Sequence, residues 1–281
     1  MIFLEEINMK KTVAVLLTVF NRKDITLKGL STLYAAMKPV EDKYSFDVYM
    51  TNDGCTDGTP EAVKNCFPDV HIINGDGNLY WSGGMRKAWD VASKTHDYDY
   101  YLWFNDDAVL YENALLIMFE AIKSIGDNII VCGAFCDKQG NASYGGRDKK
   151  GNIMAPNGCF RDILYINGNL TLVPKYVFYQ LGSLDSLYIH GLGDWDYGFR
   201  ASKSGIRTIL TSEYVGETDR HDSNLSYYSK GISFFKRCEI LYSAFNNPKL
   251  YFIFNLRHRG ILHAISFFIK QHISLLVGYK I

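Results

Sequence analysis

The chain has 281 residues, 47% of them hydrophobic, with 30 basic and 30 acidic side chains. That length buries a full core as one large domain, or one domain plus an appendage, and the apolar content excludes a disordered chain. The zero net charge hides an asymmetry: from Lys230 onward eight lysines and arginines face one acid, Glu239, so the body is acidic and the tail basic.

The first eleven residues, MIFLEEINMKK, meet acids at once and do not read as a signal peptide, and the six cysteines are scattered without a zinc spacing. Both observations suit a reducing, cytoplasmic setting. Thr12 to Val19 is an unbroken β-branched run and reads as a central parallel strand. Phe20, Asn21, Arg22 and Lys23 form a polar turn, and Ile25 to Met37 carries apolar residues at helical spacing. Phe46 to Thr51 reads as a second strand that runs into Asn52-Asp53-Gly54-Cys55-Thr56-Asp57-Gly58. Asp57 or Thr59 can cap a helix that begins near Pro60, and Val70 to Asn74 reads as a third strand. Strands alternating with helices predict a parallel sheet with right-handed crossovers.

Residues Gly75 to Lys87 are glycine-rich and then turn helical. A helix start after Gly84, with Arg86 as a fixed charge and Tyr80 and Trp81 as flat surface, suits an anionic ligand; the alternative is a plain connector. Tyr100 to Phe104 reads as a buried strand that ends in Asn105-Asp106-Asp107. Adjacent carboxylates at the carboxyl end of such a strand lie where open α/β sheets bind ligands. They repel unless a positive group is near, and a divalent cation with a diphosphate is one solution. A turn or helix cap is the other reading. Asn113 to Ile125 predicts a helix and Ile129 to Phe135 a strand, followed by a glycine-rich excursion from 136 to 162. Leu164 to Pro174 is strand-like but broken at Asn167-Gly168-Asn169, and Val177 to Leu181 predicts a short helix. A second acidic cluster, Gly193-Asp194-Trp195-Asp196, opens a short helix in which Asp196 and Arg200 can pair on the surface. Ile206 to Thr211 predicts the last strand, and His221 follows among acids as either a surface residue or a metal ligand.

The ordered set TVFNR, NDGCTDGT, GNLYWSGGMRKA, FNDDA, GDWDYGFRA and a late histidine resembles the inverting GT-A glycosyltransferases of family 2, over roughly residues 11 to 222. The GNLYWSGGMR stretch is similar to members that resemble rhamnosyltransferases of bacterial surface polysaccharides. The resemblance implies an α/β GT-A fold: a Rossmann-like, mostly parallel sheet flanked by helices, with residues 223–281 as a helical C-terminal appendage. It implies that Thr18, Phe20, Asn21, Arg22, Asp53, Gly84, Arg86 and Asp106 meet a UDP- or dTDP-type sugar donor. Asp107 and His221 would hold Mg2+ or Mn2+, and Asp194 would be the catalytic base. Asn105 and Gly193 stand where many members carry acids. The chemistry fits independently: hard oxygen ligands suit such a cation, and a carboxylate can deprotonate an acceptor hydroxyl while a single in-line displacement inverts the sugar. A nucleotidyltransferase would carry a glycine-rich basic loop after its first strand, which TVFNRKD is not. A non-catalytic protein with a degenerate fold is the other rival, against which Asp53, Asp107 and Asp194 stand intact.

In the tail, aromatics alternate with lysine and arginine, and no apolar run is long enough to span a bilayer. A basic amphipathic helix on an anionic membrane is one reading; packing on the catalytic domain or a homodimer contact is the other. The tail carries no nucleic-acid-binding module, so no nucleic-acid partner is expected. The expected acceptor is a glycan or a polyprenyl-linked glycan.

Overall fold

The computed structural model describes residues 10–219 and 226–281. The chain runs β1 (Lys11–Val19), α1 (Lys23–Met37), β2 (Tyr44–Asn52), α2 (Thr59–Cys66), β3 (His71–Asn74), α3 (Tyr80–Thr95) and β4 (Tyr100–Phe104). There follow β5 (Val109–Leu110), α4 (Ala114–Ile125), β6 (Ile129–Cys136), β7 (Ala142–Tyr144), β8 (Arg161–Ile163), β9 (Leu170–Pro174) and α5 (Lys175–Leu181). The described part closes with α6 (Gly193–Lys203), β10 (Arg207–Glu217), α7 (Phe234–Leu241), α8 (Pro248–Arg259) and α9 (Ile261–Val277).

The strands form one sheet in the order β3-β2-β1-β4-β9-β6-β10-β5, with β7 on β6 and β8 on β10. Pairings among β3, β2, β1 and β4 are parallel, as is β6 with β10, while β9 runs antiparallel between β4 and β6. The expected GT-A architecture is therefore present: a mostly parallel sheet flanked by helices. The strand runs read as buried on both faces are so. Val13, Val15 and Leu17 of β1 face a core with Leu30 and Leu33 of α1 and Met118 of α4. Ala14 and Leu16 face Met85 and Trp89 of α3 and Tyr197 of α6. The two packed layers account for the lack of period-2 polarity in these strands.

Three local expectations are corrected. Helix α3 begins at Tyr80, not after Gly84, which lies inside it. Strand β10 runs on to Glu217, past the expected end at Thr211. Its register shifts between Leu210 and Tyr214, where Thr211 Oγ1 accepts from Ala134 N–H and donates to Glu213 O. That bulge carries the ladder across the polar Ser212-Glu213 step that hides the strand from a hydrophobicity reading. The Asp196–Arg200 pair forms, but Asp196 is buried instead of on the surface, because α8 packs over it.

Candidate functional site

Parallel strands bring their carboxyl ends to one edge of the sheet, and the turns after β1, β2 and β4 meet there. Arg22, just ahead of α1, reaches across to the turn after β4. Its Nη1 donates to Asp107 Oδ2 at 2.9 Å and its Nη2 to Asp106 Oδ1. Thr26 Oγ1 of α1 donates to Asp106 Oδ2 at 2.6 Å. Asp106 is fully buried, and burial pushes its carboxyl up to about 6 against the pull of the Arg22 charge. The positive group that two adjacent carboxylates require is thus supplied by the chain itself.

Asp53, at the end of β2, has a second structural task. Its carboxylate accepts from the backbone N–H groups of Gly77, Leu79 and Tyr80 at 2.9, 3.0 and 3.0 Å. The anion at the start of α3 is therefore the protein's own, which is why that helix begins earlier than its glycines suggest. Gly84 instead lets α3 lie against β1: a Cβ there would stand 2.1 Å from Thr18 Oγ1. Asn21 ties the first two turns together, accepting from Thr56 N–H at 2.7 Å, while Phe20 is left exposed. Arg86 points at the Asp185 carbonyl, 3.5 Å away. Thr18, Phe20, Asn21, Arg22, Asp53, Asp106 and Asp107 are thus brought to one edge, whereas Gly84 faces the protein interior and Arg86 the 185 loop.

Asp194 stands in the first turn of α6. It is half-buried, and burial raises its carboxyl to about 6 while N–H groups of Trp195 and Gly168 and the charge of Arg147 pull the other way. Gly168 sits in the break that precedes β9. Its neighbour Asn169 is tied to Asn105 twice, through Asn105 N–H to Asn169 O at 3.0 Å and Asn105 Nδ2 to Asn169 Oδ1 at 2.7 Å. Asn105 Oδ1 also accepts from the Trp81 indole N–H. The amide thus donates and accepts at once, which the acid found in many family members cannot do when ionised. A Cβ on Gly168 would overlap the Trp81 ring, 1.9 Å from Cζ2. A chain of contacts therefore links the acidic turn to Asp194 through Trp81, Asn105, Asn169 and Gly168.

Gly193, which stands where a glutamate is common, has a packing cause: a Cβ there would be 2.3 Å from Ser82 Oγ. Asp196 meets the opposite environment to Asp194. It accepts from Arg200 Nε and pairs with His258 Nε2 of α8, both at 2.8 Å, and these partners lower its carboxyl against the effect of burial. The C-terminal helices also pack against this region. Phe254 packs among Tyr188, Trp195 and Phe199, and the burial that lifts the Tyr251 phenol to about 12 is reinforced by the charges of Tyr227 and Asp194. The His190 ring stacks between Tyr80 and Phe245, at 5.6 and 3.6 Å. Sequence reading marks Trp81 and Asn105 but not their contact, and it misses Gly168, His190, Tyr251 and His258 as parts of this region; for these the Asn167-Gly168-Asn169 break is the visible signal.

His221 lies outside the described residues. Among the described residues no group of three or more histidine, cysteine or acidic side chains gathers into a metal cage. Asp106 is committed to Arg22 and Thr26, while Asp107 keeps 14% of its side chain exposed. One accessible carboxylate on a sheet edge still fits Mg2+ or Mn2+ in the mode that takes one or two carboxylates and completes its shell with substrate phosphates.

No curated protein matches the chain by sequence. Among solved structures, the mannosyltransferase PcManGT from Pyrobaculum calidifontis, in complex with GDP-Man and Mn2+, superposes with a TM-score of 0.58 at 16% identity, covering 96% of this chain and 72% of that one. S. aureus TarS gives 0.57 at 13% identity, over 95% of this chain but only 44% of TarS. Its 1–349 form in complex with UDP-GlcNAc gives 0.57 at 15%, over 95% and 73%. These likenesses establish a shared fold. A sequence model of glycosyl transferase family 2 matches residues 14–182, more than half of the chain. The chain therefore belongs to glycosyl transferase family 2.

Proposed function

We propose that the protein transfers a sugar, with inversion, from a nucleotide-diphosphate sugar of UDP or dTDP type to a hydroxyl of a glycan or polyprenyl-linked acceptor, in bacterial surface polysaccharide synthesis. The observation that carries this reading is the half-buried Asp194 carboxylate, which accepts from the Trp195 N–H at 2.8 Å and is linked by a contact chain to the Asp106–Asp107 turn. The binding of GDP-Man or UDP-GlcNAc by proteins of the same fold supports a nucleotide-sugar donor. In this reading residues 11–222 are the catalytic unit, and residues 223–281 extend it and reach the site's neighbourhood through the contact of Phe245 with His190.

With its carboxyl near 6, Asp194 is ionised at neutral pH and takes the proton of the acceptor hydroxyl as that oxygen attacks the anomeric carbon. The Trp195 N–H holds the carboxylate, and the dipole of the Gly168 N–H favours its ionised form, so little reorganisation accompanies proton transfer. Thr18, Asn21 and Asp53 border the nucleoside, and Arg22 sets the charge balance of the acidic turn. Asp107 would hold a divalent cation, with His221 as a second ligand, and that cation would supply charge compensation for a departing diphosphate. Attack opposite the leaving group is one displacement and inverts the centre.

The test is a screen of UDP-, dTDP- and GDP-sugars with Mg2+ or Mn2+ for sugar release or transfer, with the product anomer read by NMR. Metal-dependent turnover of one donor with inversion is expected. Retention of configuration, or no binding of any nucleotide sugar, would overturn the reading.

A further inference from the structure

Helix α9 is apolar on the side that faces water. It buries Ala264, Gln271, Ser274 and Leu275 against the rest of the protein. On the opposite side Leu262, Ile265, Ile269, Ile273 and Leu276, spaced three and four apart, are 82, 44, 49, 39 and 67% exposed. A surface helix in water carries polar residues there, and a contiguous exposed aliphatic stripe marks an interaction site. On α7, Phe235 is 85% exposed.

We propose that this stripe docks the protein on an anionic lipid bilayer and holds the catalytic cleft at the membrane surface. The docking deepens the glycosyltransferase reading, since it assigns that enzyme a lipid-linked acceptor. Charge selects the occupant. Residues 226–281 hold eight lysines and arginines and one acid, Glu239; Lys236 pairs with Glu239 at 2.7 Å and Arg257 with Asp185 at 2.8 Å, while Lys230, Lys249, Lys270 and Lys280 are exposed. Such a surface attracts acidic headgroups, whereas in a symmetric pair of copies the basic regions would face each other. Among the described residues no helix is long and apolar enough to cross a membrane. With 17 residues and Lys270 at its flank, α9 suits a helix lying in the plane of the interface, the lysine stem reaching to the headgroups.

The inner side of the same hairpin grips the catalytic helix. Joined to α9 through Gly260, α8 sets Phe254 against Trp195 and Phe199 and His258 against Asp196, all on α6, whose first turn carries Asp194. A bilayer bound by α9 is therefore rigidly referenced to the base.

The experiment uses the full chain in flotation with phosphatidylglycerol–phosphatidylcholine vesicles and with phosphatidylcholine alone, at low and high salt. Flotation with the anionic vesicles only, weakened by salt, is expected. The double substitution Ile269→Glu, Ile273→Glu should cut it by about tenfold or more while melting at the wild-type temperature. Equal binding to neutral vesicles, or none to either, overturns the proposal. So does a wild-type dimer in analytical ultracentrifugation that the same substitutions break, since the stripe is then an interface between copies. Nucleotide-sugar binding, measured separately on both proteins, reports on the enzymatic reading alone.

Discussion

Asp194 and Asp196 stand two residues apart at the start of α6 and meet opposite surroundings. Among the described residues Asp194 has no cation in direct contact and its carboxyl rises to about 6; Asp196 is clamped between Arg200 and His258 and its carboxyl falls. The first arrangement suits a proton acceptor and the second a buried fastener. Asp194→Asn is therefore expected to bind donor almost normally and lose turnover by about two to four orders of magnitude. Asp196→Asn leaves His258 and Arg200 without their acid and should lower the melting temperature, the breaking of a buried pair costing about 3–5 kcal/mol. Near-normal turnover in the first variant, or a far larger loss in a fully folded second, would move the base role to Asp196.

The raised Asp194 carboxyl predicts the acid side of the pH profile. A carboxyl lifted from its ordinary range near 4 to about 6 keeps its proton to higher pH, so the active base form is lost as pH falls through 6. Turnover should fall tenfold per pH unit below that point. The same lift makes ionised Asp194 a cost to folding above pH 6 that is relieved as pH drops through it. Asp194→Asn should accordingly melt no lower than wild type at pH 7. A limb near pH 4 in the rate profile would contradict the assignment.

Arg22 already offsets one of the two charges of Asp106 and Asp107 and occupies an oxygen of each, so metal affinity in the absence of nucleotide should be weak. With Mg2+ or Mn2+, nucleotide-diphosphate binding should tighten strongly, and Asp107→Ala should remove most of that gain. Calorimetry with and without a chelator checks this. Equal affinity in both conditions would end the metal role.

Gly168 lies between Trp81 and the Asp194 carboxylate. Gly168→Ala inserts a Cβ 1.9 Å from the indole, so Trp81 must leave its bond to Asn105 or the 168 turn must move away from Trp81 and from Asp194. Overpacking of this kind costs about 1–3 kcal/mol. The expected result is a melting point lowered by several degrees and turnover reduced by at least tenfold. Asn105→Asp should weaken the same contact chain, since it replaces the amide donor that Asn169 accepts from and adds a third acid to the turn. Thermal melting and turnover measured together distinguish these variants from simple unfolding.

The sequence by itself determined the strands β1 and β4, because strands buried on both faces are continuous apolar runs, and it marked the turn at the end of β4, because adjacent acids there need a compensating positive group. It also carried the family resemblance and the distinctive Asp194 cluster. It did not determine where α3 begins, since the anion that anchors that start is Asp53, 27 positions before Tyr80. Nor did it show that Arg22 answers Asp106 across 84 positions, or that His258 closes on Asp196 across 62. Only the tertiary structure decided these. Periodicity records that a side chain is buried or solvated, whereas the identity of its partner depends on which strands and helices become neighbours, and that order is set by packing the whole chain at once.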